Sequence, residues 1–316
     1  LYRTGSSSEV VDALAEAARA GKEVTVVIEL RARFDEATNI DLATKLQDAG
    51  VKVSYGVVGY KTHAKILLVV RREDNALKRY GHLGTGNYHP GTARAYTDIG
   101  LLSDDSALCE DIHKVFLQLT GLGQVASLKR LLSSPFTLNH RLAEMIQFEA
   151  NEVKAGRPGR IIVKANSLSE PRIIRSLYRA SQDGVQIDLI IRGICCLRPG
   201  VPGLSENIRV RSIVGQFLEH SRVFYFHAAG EEKLYCASAD WMTRNLYRRV
   251  EVAFPLEDPK HRERILEEAL HKPLRDNCEA WMLDSDGNYA QLSPAGEPEN
   301  RSQQELLNEL SDLSGT

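Results

Sequence analysis

The chain has 316 residues, of which 43% are hydrophobic and 26% charged, and its formal net charge at pH 7 is −2. This length and composition are typical of a soluble protein with two ordinary domains, and the charge argues against a generally basic nucleic-acid-binding protein. The five cysteines show no CxxC spacing, which disfavours a disulfide framework and a structural zinc site and favours a reducing cytoplasm. The apolar run Ile66–Val70 is too short to span a bilayer, and no transmembrane segment is predicted.

In chain order, the first predicted elements are a helix and a buried strand, and both recur in the second half. A shift of 163 residues (184 − 21) lays Val10–Gly21 on Ile173–Gly184, and Glu23–Leu30 on Gln186–Gly193. Both strands are apolar on both faces, as in parallel or mixed sheets that helices cover. The sequence therefore predicts a duplicated α/β fold.

The next repeated feature is a segment that ends near a histidine. Val51–Lys65 contains His63, and Ile208–Arg222 contains His220 at the same position, 157 residues later (220 − 63). A cationic residue lies two positions after each histidine, Lys65 in the first copy and Arg222 in the second. A turn of small residues follows in each copy, Gly84–Asn87 in the first and Ser238–Trp241 in the second. One histidine site per half predicts a single site built from two halves.

The remaining segments connect or extend the two copies. Residues 120–159 join them and predict a helix around Leu138–Val153. Under the same shift of 163 residues, the first-copy counterpart of the apolar run Arg160–Lys164 would end near Leu1. We therefore expect the chain to start inside a strand and to be a fragment of a longer polypeptide. The expected domains are residues 1–130, truncated at the N-terminus, and 131–316, which ends in a peripheral polar tail with an amphipathic stretch at Glu305–Leu313.

The chemistry of the repeated segments suits a phosphate. Strand alternation places His63 and Lys65 on one face, where the imidazole could attack phosphorus while the ammonium holds an oxygen. Small residues in the turn that ends at Asn87 would let backbone amides approach an anion. A lone HxK is more often structural, but its recurrence at His220 favours a function.

This arrangement resembles the phospholipase D superfamily, in which two HxK…GxxN half-sites meet at a pseudo-twofold axis. The superfamily's acidic residue, five positions after the lysine, is replaced here by Val70 and His227. That departure speaks against a phosphodiesterase and matches one branch of the superfamily, the polyphosphate kinases of the first type. Their motifs occur in order from Leu1 to about Met282: ELRARFDEATNI, YGVVGYKTHAKILLVVRRE, YGHLGTGNYHPGTARAYTDIGLL, FLEHSRVFYF and SADWMTRNLYRRVEVAFPL.

The resemblance implies a fold of two duplicated phospholipase D-like domains, with mixed sheets flanked by helices and a pseudo-twofold relation. These would be the two C-terminal catalytic domains of a four-domain family. It also implies residue roles. His63 would accept the γ-phosphoryl group, and His220 would donate a proton and contact the nucleotide. Arg3 and Arg33 would belong to a phosphate and magnesium cluster, as phosphate clamps rather than metal ligands, because a guanidinium has no lone pair. The other nucleotide or phosphate contacts would be Lys65, His82, Asn87, Tyr96, Arg192 and Arg222.

The function predicted from this resemblance is reversible transfer of the ATP γ-phosphoryl group to polyphosphate through a phosphohistidine. Mg²⁺ is the expected cofactor, and ATP or ADP and inorganic polyphosphate are the expected partners, without nucleic acid. We expect a cytoplasmic location, with peripheral membrane association left open, and a homo-oligomer in the full-length form. Two alternatives stay open: a phospholipase D-like phosphodiesterase, and a non-catalytic fragment that binds polyphosphate or nucleotide.

Overall fold

The structure, a computed structural model, describes residues 1–5, 8–32, 36–122 and 127–313 of the chain. The predicted site residue Arg33 lies outside these ranges. Within them, no helix combines the length and the apolar character that crossing a bilayer requires.

In the described part of the first half, helices pack against two small sheets. The helices are α1 (Glu9–Arg19), α2 (Glu36–Asp48), α3 (Pro90–Ala95) and α4 (Ser106–Leu119). The strands are β1 (Thr25–Val27), β2 (Lys52–Ser54), β3 (Lys61–Thr62), β4 (Lys65–Glu73), β5 (Ala76–Gly84), β6 (Tyr96–Thr97) and β7 (Gly100–Ser103). β1 and β2 pair in parallel, whereas β4, β5 and β7 form an antiparallel sheet.

The second half is built on one large mixed sheet. Its helices are α5 (Leu138–Lys154), α6 (Pro171–Gln182), α7 (Thr243–Tyr247), α8 (Pro259–Ile265), α9 (Lys272–Arg275) and α10 (Ser302–Leu313), with a π-helical turn, Leu266–His271, between α8 and α9. Its strands are β8 (Leu132–Ser134), β9 (Arg160–Ala165), β10 (Gln186–Ile191), β11 (Ile208–Ile213), β12 (Leu218–Glu219), β13 (Arg222–Phe226), β14 (Lys233–Ala237), β15 (Arg249–Pro255), β16 (Ala280–Leu283) and β17 (Tyr289–Gln291).

The sheet order within the described residues is β17-β16-β11-β10-β9-β13-β14-β15-β3, with β8 on β15. The strands β9, β10 and β11 are parallel, and β13 runs antiparallel to β9. In the first half, Leu1 lies beside β1 on the side opposite β2, where its carbonyl accepts a hydrogen bond from Glu29 N (2.9 Å). β9 has the same place beside β10, so the strand positions of the two halves correspond.

Two reciprocal pairings join the halves. The first-half strand β3 pairs in parallel with β15 of the second half, and the second-half strand β12 pairs in parallel with β6 of the first. The sequence repeat maps β3 onto β12 (61 + 157 = 218) and β6 onto the start of β15 (96 + 153 = 249). The two pairings are therefore copies of one contact, and the predicted pseudo-twofold arrangement of duplicated α/β domains is confirmed.

The large sheet is covered on both faces, which explains the continuous apolar runs in its strands. In β9, Ile161 and Val163 belong to a core formed with α5 and α6, while Ile162 between them belongs to a core on the other face. That second core includes Ile112 and Leu119 of the first-half helix α4. The two halves therefore share one hydrophobic core.

A buried carboxylate attaches the start of the second half to α4. Asp111 is fully buried, and its oxygens accept hydrogen bonds from the backbone amides of Lys129 (2.8 and 3.0 Å), Arg130 (2.6 Å) and Leu131 (3.0 Å). These amides have no strand partner, so the aspartate takes the place of a backbone acceptor.

Replacing this carboxylate should destabilise the fold. We expect Asp111→Ala to lower the free energy of unfolding by about 3 kcal/mol, because buried donors lose a charged acceptor. Glu110→Ala, at the neighbouring and more exposed position of the same helix, should change it by less than about 0.5 kcal/mol. Urea unfolding measures both values, and equal values for the two variants would contradict the role of Asp111.

Candidate active site

His63 lies where the first half meets the second. Its backbone amide, and that of Ala64, donate to Val250 O of β15 (2.9 and 3.0 Å). The side chain is buried, with Nδ1 2.9 Å from Glu251 Oε2. An Nδ1–H that donates to this carboxylate leaves the Nε2 lone pair available. The pKa of His63 is well below its ordinary value, because of burial first and then the charges of Lys65 and Arg249, so the imidazole is neutral at pH 7.

Glu251 is held by donors on both oxygens. Ser238 Oγ donates to Oε2 (2.6 Å) and Asn245 Nδ2 donates to Oε1 (2.6 Å). Burial raises the pKa of Glu251 to about 7, although Lys65 and the Ser238 hydroxyl oppose the rise. The carboxylate therefore has a fixed direction towards His63.

His220 has the mirrored environment. Its Nδ1 is 2.9 Å from Asp98 Oδ1, and its backbone amide donates to Thr97 Oγ1 (3.2 Å). Both partners come from the first half. Burial and the Arg222 charge lower the pKa of His220, while the hydrogen bond with Asp98 raises it. A Cβ on Gly86 would lie 2.2 Å from Asp98 Oδ2, so the small residue in this turn makes room for the carboxylate.

Sequence reasoning missed both carboxylates, although the repeat contained the signal. Asp98 lies 11 residues after Asn87 (98 − 87), and Glu251 lies 11 residues after Asp240 (251 − 240). Extending the repeat beyond the small-residue turns would have aligned the two acids. Only the fold shows that each acid contacts the histidine of the other half.

The two repeated cations have equivalent places. Lys65 Nζ donates to His63 O (2.6 Å), and Arg222 Nη1 donates to His220 O (2.9 Å). Both side chains are buried. Burial lowers the pKa of Lys65 from 10.5 to about 7, and Glu251 opposes that shift while Arg222 adds to it. The lysine is therefore poised to gain a proton when an anion arrives.

The two cations differ in their counter-charges. Arg222 pairs with Asp240, with Nε 3.1 Å from Oδ1 and Nη2 3.3 Å from Oδ2, and its Nη1 also donates to Thr85 O (3.2 Å). Burial alone would raise the pKa of Asp240, but Arg222 holds it below its usual value. The first-half counterpart of Asp240 is Asn87, whose buried Oδ1 lacks a hydrogen-bond partner among the described residues. Beside His63, therefore, the position equivalent to Asp240 carries no carboxylate that could pair with Lys65.

Tyr2 was not singled out from the sequence, yet it is central to the His63 side. The Tyr2 and His63 rings meet edge to face, with centroids 4.7 Å apart. Among the residues that the structure describes, three cations lie over the Tyr2 ring: Lys65 at 5.4 Å, Arg3 at 5.6 Å and Arg249 at 6.0 Å. Such contacts are favourable. The sequence-predicted Arg3 therefore belongs to the site, and Arg249 is a further cation that sequence reasoning missed.

Tyr96 and Arg192 lie on the His220 side. The Tyr96 ring is 5.0 Å from the His220 ring. Arg192 Nε donates to Asn166 Oδ1 (3.0 Å), and Asn166 Nδ2 reaches His220 O (3.4 Å). The structure thus brings both predicted nucleotide contacts to one edge of the site.

His82 has a different environment. Its Nδ1 lies 2.7 Å from the Tyr88 hydroxyl, and burial lowers its pKa. Within the described ranges, no hydrogen bond or ring contact links it to His63 or His220. Its predicted contact with phosphate stays a prediction.

The described residues do not form a cage for a metal ion. In the part of the chain that the structure describes, no group of three or more His, Cys, Asp or Glu side chains could hold one. Arg3 cannot ligate a cation. The described residues therefore do not fit a protein-ligated Mg²⁺, and its predicted binding through phosphate oxygens stays a prediction.

Comparisons with known proteins agree over both halves. The family model of polyphosphate kinase C-terminal domain 1 matches residues 1–125, and that of C-terminal domain 2 matches residues 131–303. A polyphosphate kinase of Pseudomonas aeruginosa is 59% identical over 307 residues, 97% of this chain and 44% of that protein. One of Xylella fastidiosa is 60% identical over 294 residues, 93% of this chain and 42% of that protein.

Solved structures give the same result for the fold. The crystal structure of a polyphosphate kinase from Porphyromonas gingivalis superposes with a TM-score of 0.91 at 37% identity, covering 99% of this chain and 48% of that one. A phosphatidylserine synthase of Haemophilus influenzae superposes with a TM-score of 0.56 at 12% identity, over 97% of this chain and 85% of that one, and shares the fold alone. The chain spans less than half the length of the kinases it matches.

The lowered pKa of Lys65 predicts proton uptake when an anion binds. At about pH 8.5 a pKa of about 7 favours the neutral amine in the free protein, and a bound phosphate favours its charged form, so Lys65 should contribute about one proton to the uptake on triphosphate binding. Lys65→Arg should take up about one proton fewer, because a guanidinium is already charged. Calorimetry in buffers of different ionisation enthalpy measures this uptake, and equal uptake by both proteins would contradict the assignment.

Proposed function

The chain belongs to the polyphosphate kinase family, and we propose that it transfers the γ-phosphoryl group of ATP to polyphosphate, reversibly and through a phosphohistidine on His63. The observation that carries this proposal is the pair of buried imidazoles, each with Nδ1 on a carboxylate of the other half. One histidine and one cation per half fit two successive in-line transfers at a single phosphorus atom.

In the first step, the Nε2 lone pair of His63 attacks the γ-phosphorus. The bond from phosphorus to the β–γ bridging oxygen breaks, and ADP leaves with that electron pair. The imidazole becomes cationic, and Glu251, 2.9 Å from Nδ1, stabilises the positive charge. In the second step, a terminal oxygen of polyphosphate attacks the same phosphorus, the P–N bond breaks, and its electrons return to His63.

His220 is the proposed proton donor to the leaving oxygen. In the free protein its lowered pKa favours the neutral ring. An anionic substrate favours the imidazolium and would raise that pKa, so protonation would accompany binding. Asp98 holds Nδ1, so Nε2, which lies 3.2 Å from Arg222 Nη1, is the nitrogen that would supply the proton.

Cations around the site would stabilise the phosphate charge. Lys65, Arg3 and Arg249 lie around Tyr2 on the His63 side, and Arg192 lies on the His220 side. Fixed charges in a buried site stabilise a developing charge more than they would in water. In the full-length family context, ATP or ADP and polyphosphate are the proposed partners; Mg²⁺ would enter on their phosphates.

His63→Ala should abolish the covalent intermediate. Wild-type protein incubated with γ-labelled ATP and Mg²⁺ should acquire a base-stable label, and the variant should acquire none while keeping its melting temperature. His140→Ala, which changes an exposed histidine, should label like the wild type. Label that persists in His63→Ala, or that maps to His220, would show that the assignment of His63 as the nucleophile is wrong. Nucleotide binding without any label would favour the binding module, and hydrolysis of a phosphodiester would favour the phosphodiesterase.

His220→Ala should slow the formation of the phosphohistidine rather than remove its site. General acid catalysis contributes about 10²–10⁴-fold, so single-turnover labelling should slow by that factor. Asp98→Asn should slow it less, because the ring loses its charged partner but keeps its place. An unchanged labelling rate in His220→Ala would rule out the proton-donor role.

A further inference from the structure

The C-terminal helix reaches the segment that carries His220. Gln303, in the first turn of α10, is buried, although this part of the chain was expected to be a peripheral tail. Its side-chain amide pairs with the backbone of Phe217 in both directions: Oε1 accepts from Phe217 N (2.8 Å), and Nε2 donates to Phe217 O (2.8 Å). The side chain thus acts on this segment as a neighbouring strand would.

The same amide continues into a buried polar network. Gln303 Nε2 also donates to Glu219 Oε1 (2.6 Å). The other oxygen of Glu219 accepts from Thr97 Oγ1 (3.0 Å) and lies 2.5 Å from Lys164 Nζ. Thr97 Oγ1 in turn accepts the backbone N–H of His220 (3.2 Å). Three hydrogen bonds therefore lead from the C-terminal helix to the backbone of a site histidine.

The start of the helix is itself held in place. Ser302 is buried, and both its backbone amide (2.8 Å) and its hydroxyl (2.9 Å) donate to Asp276 Oδ2. Lys272, also buried, pairs with Glu305 and with Glu309 (2.8 Å) of α10. Residues before and after Gln303 in the chain therefore attach this helix to the rest of the second half.

The corresponding segment of the first half differs. It comprises residues 55–60 before β3, and it includes Val58, which is 97% exposed. The segment before β12, residues 214–217, instead contacts Gln303. A Cβ on Gly215 would lie 2.5 Å from Gln303 Oε1, so this segment is shaped to receive the amide. The contact comes from α10, outside the duplicated strands.

We propose that Gln303 is a positioning residue for His220, acting through Phe217, Glu219 and Thr97. The inference rests on the proposed function, because it names a residue that orients the proton donor of that reaction. Gln303 does not touch the reacting atoms. It fixes the short strand β12 against β6, and with it the place of the His220 ring.

The test compares Gln303→Met, which keeps the volume of the side chain but lacks its hydrogen bonds, with Gln304→Ala. Gln304 is exposed, its side chain donates to Asn308 Oδ1 within α10 (2.9 Å), and it serves as the control. We expect Gln303→Met to lower kcat on the order of 10-fold, since small misplacements of catalytic groups cost up to about 10². Gln304→Ala should stay within twofold of the wild type, about the range of a surface substitution.

A third variant supplies a pH signature. A protonated Gln303→Glu side chain has a carbonyl acceptor and a single O–H, which can donate to Phe217 O or to Glu219 but not to both, whereas its ionised form can donate to neither. Its activity relative to the wild type should therefore be partly restored at acidic pH and fall as pH rises through its pKa. The deficit of Gln303→Met should not depend on pH in this way.

Hydrogen exchange provides a measurement independent of catalysis. In Gln303→Met, the Phe217 and His220 amides should exchange about 5-fold faster, the equivalent of one hydrogen bond, while those of Thr62 and His63 stay unchanged. Unchanged exchange at Phe217 and His220 overturns the proposal, as does kcat equal to that of Gln304→Ala. If the wild-type protein transferred no phosphate, the proposed function would fail, and the exchange comparison would still decide whether Gln303 fixes this segment.

Discussion

The site depends on two carboxylate–imidazole hydrogen bonds that cross between the halves. Glu251 of the second half orients His63, and Asp98 of the first half orients His220. Each bond requires the backbones of both halves at a fixed separation, which the pairings of β3 with β15 and of β6 with β12 provide. Because each half supplies the carboxylate that the other half's histidine needs, a single half would hold an imidazole without its acceptor. Packing of the two halves and assembly of the site therefore depend on the same contacts.

Duplication gives the site an approximate twofold symmetry, and a few side chains differ between the two halves. Asp240 neutralises Arg222 within the protein, whereas the equivalent residue beside Lys65 is the uncharged Asn87. A buried ion pair that is already formed gains little from an incoming anion, because both charges have been desolvated for each other. A buried lysine without a hydrogen-bonded carboxylate gains more, and burial lowers the pKa of Lys65 even though the charge of Glu251 opposes that shift. This difference gives a physical reason for placing the proposed nucleophile on the His63 side.

Burial sets the charges of the site. It is the leading cause of the lowered pKa values of His63, His220 and Lys65 and of the raised pKa of Glu251. The free protein therefore favours neutral forms, which suits a nucleophile that needs a lone pair. A bound polyanion favours the cationic forms again, so substrate binding and protonation are coupled. The network that runs from α10 to His220 adds a mechanical constraint to this electrostatic one.

The sequence by itself determined the duplication, the two histidines with their cations, the α/β class and the family, because these features are written in local patterns that repeat at a constant spacing. It also placed the helix α5 to within a residue of its end. Only the tertiary structure decided which carboxylate serves which histidine, since Glu251 and His63 are 188 residues apart and meet through an exchange between halves. The place of Arg249 beside Tyr2 and the contact of Gln303 with Phe217 were equally invisible. Polar contacts between distant segments leave no periodicity in the chain, and the folded backbone alone brings their donors and acceptors together.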